Sequence, residues 1–236
     1  MLNSTAAQIA ADITALPQRT TATVRKVRRQ HSRALRTADA AFVIGLARDL
    51  LARDSREGRS GLRWVAYELI RNHKPAFASL NDALLEELGQ GMHSWDTVDD
   101  FSRTLSGPAW LHGMASDALI HRWAASKDLW WRRAALVSTV GLNMRSYGGA
   151  GDTPRTMAIC EMLAADREDM VQKALSWALR ELVWHDPAAV QSFLDTHDQH
   201  LAARVKREVR AKLTTGLKNP RRKPSVPSPL GTDKGR

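Results

Sequence analysis

The sequence GMHSWDTVDDFSRTL, at residues 91–105, contains the pattern from which the fold of the chain can be predicted. Its apolar residues recur at spacings of three and four, the period of an amphipathic helix with one buried stripe: Val98, Phe101 and Leu105. On such a helix Trp95 and Asp99 lie one turn apart at the flank of the stripe, facing outward. They mark the edge of a functional groove or, in the alternative interpretation, a core tryptophan followed by a solvated acidic residue in the first turn.

The composition of the whole chain favours an all-α fold. Among the 236 residues Ala, Leu and Arg dominate, β-branched runs are scarce, and no segment alternates between apolar and polar positions. We interpret residues 1–216 as one α-solenoid of antiparallel helical pairs with degenerate repeats, and a compact helical bundle is the structural alternative. Helices joined by short turns are predicted within residues 1–18 and at residues 38–53, 60–72, 77–89, 97–105, 109–126, 129–145, 153–165, 169–183, 187–197 and 200–213.

The charge of the chain predicts a polyanionic partner. Its formal net charge is +10 and its pI is about 10.3. Residues 19–36 carry seven Lys or Arg and no acidic residue. A run of charge is usually a solvated face, but such faces normally mix both signs. We therefore expect this segment to contact phosphates through four basic residues: Arg25, Lys26, Arg28 and Arg29.

The end of the chain has a different composition. Residues 217–236 are rich in Pro, Ser and basic residues and contain almost nothing to bury, so we expect a disordered tail. Six of the positive charges lie in this tail against one Asp, which accounts for about half of the formal +10. The tail weakens the argument from total charge, but the run at residues 19–36 does not depend on it.

Several classes of protein are disfavoured by what the sequence lacks. One cysteine, Cys160, excludes an intrachain disulfide and a multi-cysteine zinc site. No stretch of 18 apolar residues and no leader-like N-terminal pattern occurs, so we expect a soluble cytoplasmic protein, associated with the nucleoid if the source is bacterial. Zinc-deaminase, HExxH and phosphate-loop motifs are absent, and we expect no metal or cofactor.

Two further residues occupy unusual positions on their predicted helices. Arg133, in LWWRRAALVSTVG, falls on the apolar side of its helix and therefore needs an anion, either Asp99 or a phosphate at the mouth of a cleft. A structural ion pair that ties two helices together is as well supported as direct contact with a ligand. Trp177, in VQKALSWALREL, falls on the polar side beside Lys173, Ser176 and Arg180. An indole among cations is suited to packing against nucleotides, although another helix layer could instead cover it.

Three segments, in this order and spacing, resemble the AlkD-like DNA alkylation-repair glycosylases: HSWDTVDDFS from residue 93, KDLWWRRAALVST from residue 127 and VQKALSWALREL from residue 171. The similarity extends over about residues 20–213, where TVRKVRRQHSRAL resembles the early basic helix of the family. The resemblance implies a HEAT-like α-solenoid with a concave basic face. Ser176 departs from the Gly that commonly precedes the tryptophan in this family, and its side chain is expected to crowd the indole of Trp177 against the backbone.

The resemblance also implies an activity and a set of site residues. The family removes positively charged N3- or N7-alkylpurines from duplex DNA, holding the backbone of the damaged nucleotide without a base-reading pocket. Asp99, Trp95 and Trp177 then match catalytic positions, and Arg133 matches a cleft residue that contacts DNA. Lys173 and Arg180 are further expected DNA contacts, because they flank Trp177. We expect a monomer that binds duplex DNA and no membrane.

Two other functions remain open on the sequence alone. The first is a noncatalytic helical-repeat protein that binds damaged or branched DNA through the same concave face. The second is a protein–protein scaffold whose basic face meets an acidic partner. The carboxylate of Asp99 favours the enzyme, since an acidic residue on a surface that only binds phosphate would repel its ligand.

Overall fold

The computed structural model describes residues 2–57 and 61–219, which form helices joined by turns and contain no β-strand. The all-α prediction is confirmed. In chain order the helices are α1 (Leu2–Thr14), α2 (Thr21–Ala34), α3 (Ala40–Glu57), α4 (Leu62–Asn72), α5 (Lys74–Ala78), α6 (Asp82–Gly89), α7 (Trp95–Phe101), α8 (Gly107–Leu111), α9 (Asp117–Ala124), α10 (Leu129–Asn143), α11 (Thr153–Met162), α12 (Asp169–Leu182), α13 (Pro187–Thr196) and α14 (Ala203–Thr215).

The helices pack in two layers as a stack of neighbouring pairs, which is the arrangement of an α-solenoid. In the first layer α2, α4, α7, α10, α12 and α14 each pack on the next. The second layer covers the first through the pairs α3 with α4, α9 with α10, α11 with α12 and α13 with α14. One continuous cluster of buried apolar side chains runs between the layers from Ala6 to Val209. Side chains for a functional site therefore project from the uncovered side of the first layer.

Helix α10 is the centre of the stack, with every residue from Arg133 to Asn143 buried. Its apolar surface extends all the way round because α7, α8, α9, α11 and α12 pack on it. Against α8 the two backbones touch. A Cβ atom built on Gly141 would lie 2.8 Å from the carbonyl carbon of Gly107, so only glycine fits at this crossing. The contact fixes α8, and the helix that leads into it, against α10.

The helix that begins at Trp95 continues into α8 through a π-helical segment, Ser102–Ser106. The N–H of Gly107 donates to the carbonyl of Ser102, five residues earlier. Pro108 follows and has no N–H, so it interrupts the regular helical hydrogen bonds at this point. The Ser106 hydroxyl also lies 2.6 Å from that of Ser138 on α10, which holds the widened turn in place. Such segments change the direction of the side chains around them.

Two segments predicted as single helices are each divided in the structure. Residues 77–89 contain the end of α5 and all of α6, because the side chain of Asn81 accepts a hydrogen bond from the N–H of Leu84 and starts a new helix. Residues 109–126 contain the end of α8 and all of α9. Between them Gly113 has φ of 76°, and Ser116 caps the second helix.

The other predicted helices start and end within about one helical turn of the observed ones. The tail prediction for residues 217–236 falls almost entirely outside the described residues, which end at residue 219. Cys160 is fully buried on α11. None of the helices in the described ranges is long and apolar enough to cross a membrane.

Candidate functional site

Arg133 and Asp99 form a two-pronged ion pair on the exposed side of the first layer. Arg133 Nε donates to Asp99 Oδ1, and Arg133 Nη2 donates to Asp99 Oδ2, both at 2.9 Å. Arg133 Nη1 donates to the backbone oxygen of Met170 at 2.5 Å, so one guanidinium joins α7, α10 and the start of α12. Arg133 is only 5% exposed. The prediction that it needs an anion, with Asp99 as the partner, is confirmed.

The surroundings of Asp99 act on its pKa in opposite directions. Burial raises the pKa of Asp99, while the hydrogen bonds and charge of Arg133 lower it, and the net result is a raised pKa. Arg103 also lowers this pKa, and Asp96 raises it. The Asp99 side chain keeps 15% of its accessible surface, so water can reach it. The carboxyl group is therefore held in one orientation and remains in contact with solvent.

Trp95 and Trp177 line one open groove of about 460 Å³ with Arg133. We call this the Trp95–Trp177 groove; the other side chains that line it are Met170, Lys173, Arg180, Arg204 and Lys218. Trp95 begins α7 and is 56% exposed. Trp177 is partly buried, and its Nε1 donates to Glu181 Oε1 at 3.0 Å. Five of the lining side chains are cationic, and none of the lining residues is acidic.

The structure corrects the predicted position of Ser176. Ser176 is fully buried rather than on the polar side of α12, because α14 packs over that side. Its hydroxyl donates to Glu208 Oε2 at 2.7 Å. Arg180 shares this network, with its Nε 3.3 Å from the Ser176 hydroxyl and 4.0 Å from Glu208 Oε2, and burial lowers the pKa of Arg180. Lys173 is more exposed and pairs with Asp169 at 2.7 Å.

The basic helix α2 divides into buried and exposed cations, so the prediction that its whole basic face is free for a partner is too broad. Arg28 is 8% exposed and donates to Glu68 Oε2 at 2.7 Å. A phosphate could reach it only by displacing that carboxylate. Arg25 is half-exposed, donates to Glu68 Oε1 and lies over the ring of Trp64. Lys26 and Arg29 are exposed.

A second groove, of about 430 Å³, lies between α2, α4 and the helix that begins at Trp95. We call it the α2–α7 groove; Arg19, Thr20, Thr21, Val24, Arg25, Gly61, Trp64, Glu68, Asp100, Arg103, Thr104 and Tyr147 line it. Burial first, and then the charges of Asp96 and Asp99, raise the pKa of Asp100 to about 7. The guanidinium of Arg103 lies 5.7 Å from the ring centre of Trp177. The sequence interpretation missed Asp100 and Arg103, and also Arg204 and Lys218.

An α-solenoid whose uncovered layer carries a cationic groove with two indoles, and a fixed carboxylate bound to one of the groove's arginines, has the features of a nucleic-acid-binding protein. A family model described as DNA alkylation repair enzyme matches residues 19–213. The chain belongs to this family, so it is a DNA alkylation repair protein and the resemblance predicted from the sequence is confirmed. Searches of curated proteins and of solved structures found no significant match. Within residues 2–57 and 61–219, no three metal-binding side chains come together.

Proposed function

We propose that the protein is a DNA glycosylase that hydrolyses the N-glycosidic bond of positively charged N3- or N7-alkylpurines in duplex DNA. The observation that carries the proposal is the fixed carboxylate of Asp99, which is bound to Arg133; Arg133 lines a groove that has indoles on its walls and only cations among its charged lining residues. The membership in an alkylation-repair family supports the same class of substrate.

The chemistry requires little from the protein beyond charge and position. In an N3- or N7-alkylpurine the base is already cationic, and the C1′–N bond breaks with its electron pair moving to the purine, which leaves neutral. No strong general acid is needed. Positive charge develops on the deoxyribose, and water adds to C1′ and releases a proton. A preorganised carboxylate stabilises that charge and orients the water.

Asp99 has the geometry for both roles. Each of its oxygens accepts one hydrogen bond from Arg133 and has a further lone pair for a water or for the sugar. The two-pronged pair prevents the carboxylate from rotating. Its raised pKa also makes it a better proton acceptor than a solvated carboxylate, provided that it is ionised.

The other groove residues have supporting roles in this proposal. Trp95 and Trp177 present their π faces to the cationic sugar or base, contacts worth about 0.5–2 kcal/mol each. Arg133 uses three of its donors on Asp99 and Met170, and its remaining N–H groups are available to a phosphate. Lys173 and Arg180 bind flanking phosphates, so DNA affinity falls steeply as salt increases.

The proposal is tested by measuring the release of 7-methylguanine and 3-methyladenine from methylated duplex DNA. The wild type is compared with Asp99→Asn and with the control Asp166→Asn. Asp166 is a good match, because it pairs with Arg132, the neighbour of Arg133 on α10, at 2.6 Å in a similarly buried position. Base release is normalised to the folded fraction of each variant.

We expect release by the wild type and by Asp166→Asn, and a loss of at least about 100-fold for Asp99→Asn, the typical scale for removing an electrostatic catalytic group. Release that is equal in Asp99→Asn and in the wild type would remove Asp99 from the mechanism. If the wild type binds DNA with strong salt dependence but releases no base, the noncatalytic DNA-binding alternative is correct. One observation supports this noncatalytic alternative: Arg133 already neutralises the charge of Asp99, so the carboxylate would not repel DNA.

A further inference from the structure

Arg103 lies beside the proposed catalytic residues, and among the residues that the structure describes it has no polar partner. Its Nε atom is buried and makes no hydrogen bond, and the side chain forms no hydrogen bond or ion pair with any other residue in the ranges 2–57 and 61–219. Leaving a buried guanidinium N–H unpaired is costly, so such a group usually has a ligand when the protein is at work. The identity of that ligand follows from the surroundings of Arg103.

Nearby carboxylates do not take Arg103 as their partner. Each oxygen of Asp99 accepts a hydrogen bond from Arg133, which approaches from α10, and neither oxygen accepts one from Arg103. Asp100 lines the same groove as Arg103, whose charge partly opposes the rise in the pKa of Asp100, yet no ion pair joins the two side chains within 4.0 Å. Glu68, across the groove, is held by Arg25 and Arg28. The donors of Arg103 are thus left for an anion that enters from outside.

The backbone conformation at Arg103 explains why its guanidinium does not pair with a carboxylate. Asp99 and Arg103 are four residues apart, a spacing that in a regular α-helix favours an ion pair. The π-helical segment Ser102–Ser106 begins between them and changes the direction of the side chains that follow. Arg103 consequently lies over Trp177 on α12, at 5.7 Å, instead of beside Asp99.

Arg103 also marks the boundary between the two grooves. Trp177 lines the Trp95–Trp177 groove, whereas Arg103 lines the α2–α7 groove, and the two side chains are in contact. The contact between Arg103 and Trp177 thus joins the Trp95–Trp177 groove to the groove that Arg19 and Arg25 line. The three arginines that line this groove, Arg19, Arg25 and Arg103, outnumber its two acidic residues, Glu68 and Asp100, which favours the entry of an anion.

We propose that Arg103 binds a backbone phosphate of DNA in the α2–α7 groove, next to the nucleotide held by Trp95 and Trp177. This inference rests on DNA binding at the proposed site but not on the glycosylase reaction. It makes Arg103 a binding residue rather than a catalytic one. The phosphate supplies the acceptors that the guanidinium lacks, in the planar, two-pronged geometry that arginine favours.

The test uses an undamaged duplex, so that binding is measured apart from base release. Dissociation constants are determined by fluorescence anisotropy as a function of KCl concentration for the wild type, Arg103→Ala, Arg103→Lys and Arg122→Ala. Arg122 is the matched control, because it removes the same charge from an exposed pair with Glu86 on the second layer. Thermal unfolding confirms that each variant is folded.

For Arg103→Ala we expect about tenfold weaker binding at low salt and a slope of log K against log salt that is smaller by about 0.9, which is one phosphate contact. Arg103→Lys should keep the slope and lose less affinity, since it keeps the charge without the planar fork. Arg122→Ala should match the wild type.

Two outcomes would overturn the proposal. The first is an Arg103→Ala variant whose affinity and salt slope equal those of Arg122→Ala. The second is weaker binding with an unchanged slope, because that result would mean that Arg103 acts by positioning Trp177. In the separate base-release assay described above, a loss of release by Arg103→Ala at saturating DNA, with unchanged affinity, would mean the same. If neither the wild type nor any variant releases base while Arg103→Ala still loses one phosphate contact, the glycosylase proposal fails and this one stands.

Discussion

Ser176 donates a 2.7 Å hydrogen bond to Glu208, and this bond connects α12 to α14 at the residue that precedes Trp177. Glu208 is 7% exposed, and Lys218 Nζ lies 3.5 Å from the same carboxylate oxygen. Arg180, which lines the Trp95–Trp177 groove, belongs to the network as well. The wall of the groove is therefore supported by a buried carboxylate that does not itself line it.

Replacing Ser176 with Ala should destabilise the protein by about 1–3 kcal/mol, because the buried carboxylate of Glu208 loses a hydrogen bond that water cannot replace. Urea unfolding measures the change. Ser192→Ala, at an exposed position on α13, is the control and should remain within about 0.5 kcal/mol of the wild type. Equal stabilities for Ser176→Ala and the control would show that Glu208 is satisfied by its cationic neighbours alone.

Base release should rise with pH along a single limb that reports the ionisation of Asp99. The proposed mechanism needs the carboxylate, and burial raises its pKa above the ordinary value, so the limb lies at a higher pH than for a solvated Asp. No decline from loss of a general acid is expected at higher pH, since the leaving base is already cationic. Single-turnover rates at saturating DNA provide the profile, and a bell-shaped curve would contradict this prediction.

Asp100 should make the folded state less stable as pH rises from about 4 to about 7. Burial, Asp96, Asp99 and Glu68 raise its pKa to about 7, and only Arg103 opposes them. In this interval the native protein binds a proton that the unfolded chain has released, so stability falls as pH increases. In Asp100→Asn this part of the pH dependence should disappear.

Thermal or urea unfolding at several pH values tests the effect of Asp100. Asp195→Asn, which removes the same charge from an exposed position on α13, should retain the wild-type profile. Identical profiles for Asp100→Asn and the wild type would show that the Asp100 carboxyl has an ordinary pKa in the folded state.

Gly141→Ala should destabilise the protein by about 3 kcal/mol, because the new methyl group meets the backbone of α8, which cannot move aside without shifting α7. Gly45→Ala is the matched control in another helix. There the methyl group meets only the side chain of Leu2, at 3.2 Å, so we expect stability equal to or slightly above that of the wild type. Denaturant melts of both variants compare the two positions, and equal losses would contradict the backbone contact.

The periodicity of the sequence was sufficient to predict the pair at the centre of the site. Arg133 falls on the apolar side of its helix, and the cost of burying an unpaired guanidinium requires a carboxylate or a phosphate nearby. Asp99 was available at the edge of another helix. Both arguments use only a helical wheel and a charge penalty, and the structure brings the two side chains together.

The residues that were missed depend on features that a helical wheel does not contain. Arg103 lies within a π-helical segment that interrupts the regular rotation after Phe101, and Asp100 faces the α2–α7 groove only because α4 packs beside its helix and α2 packs on α4. Ser176 was placed on the polar side of α12, but α14 covers that side and supplies Glu208. The sequence predicts that Arg28 contacts phosphate, although in the structure it is buried and pairs with Glu68 from α4. Tertiary packing decides each of these positions.

The backbone contact between Gly107 and Gly141 has a mechanical consequence for the site. Side chains can rearrange when a ligand enters, but two helices that touch through their main chains have little room to slide. Asp99 lies before Gly107 in the chain, and Arg133 lies before Gly141 on α10. The rigid backbone contact between the two glycines therefore limits changes in the distance between Asp99 and Arg133. We therefore expect the carboxylate of Asp99 and its arginine to keep their relative positions when a ligand binds, and any adjustment to occur in helices that lack this backbone contact.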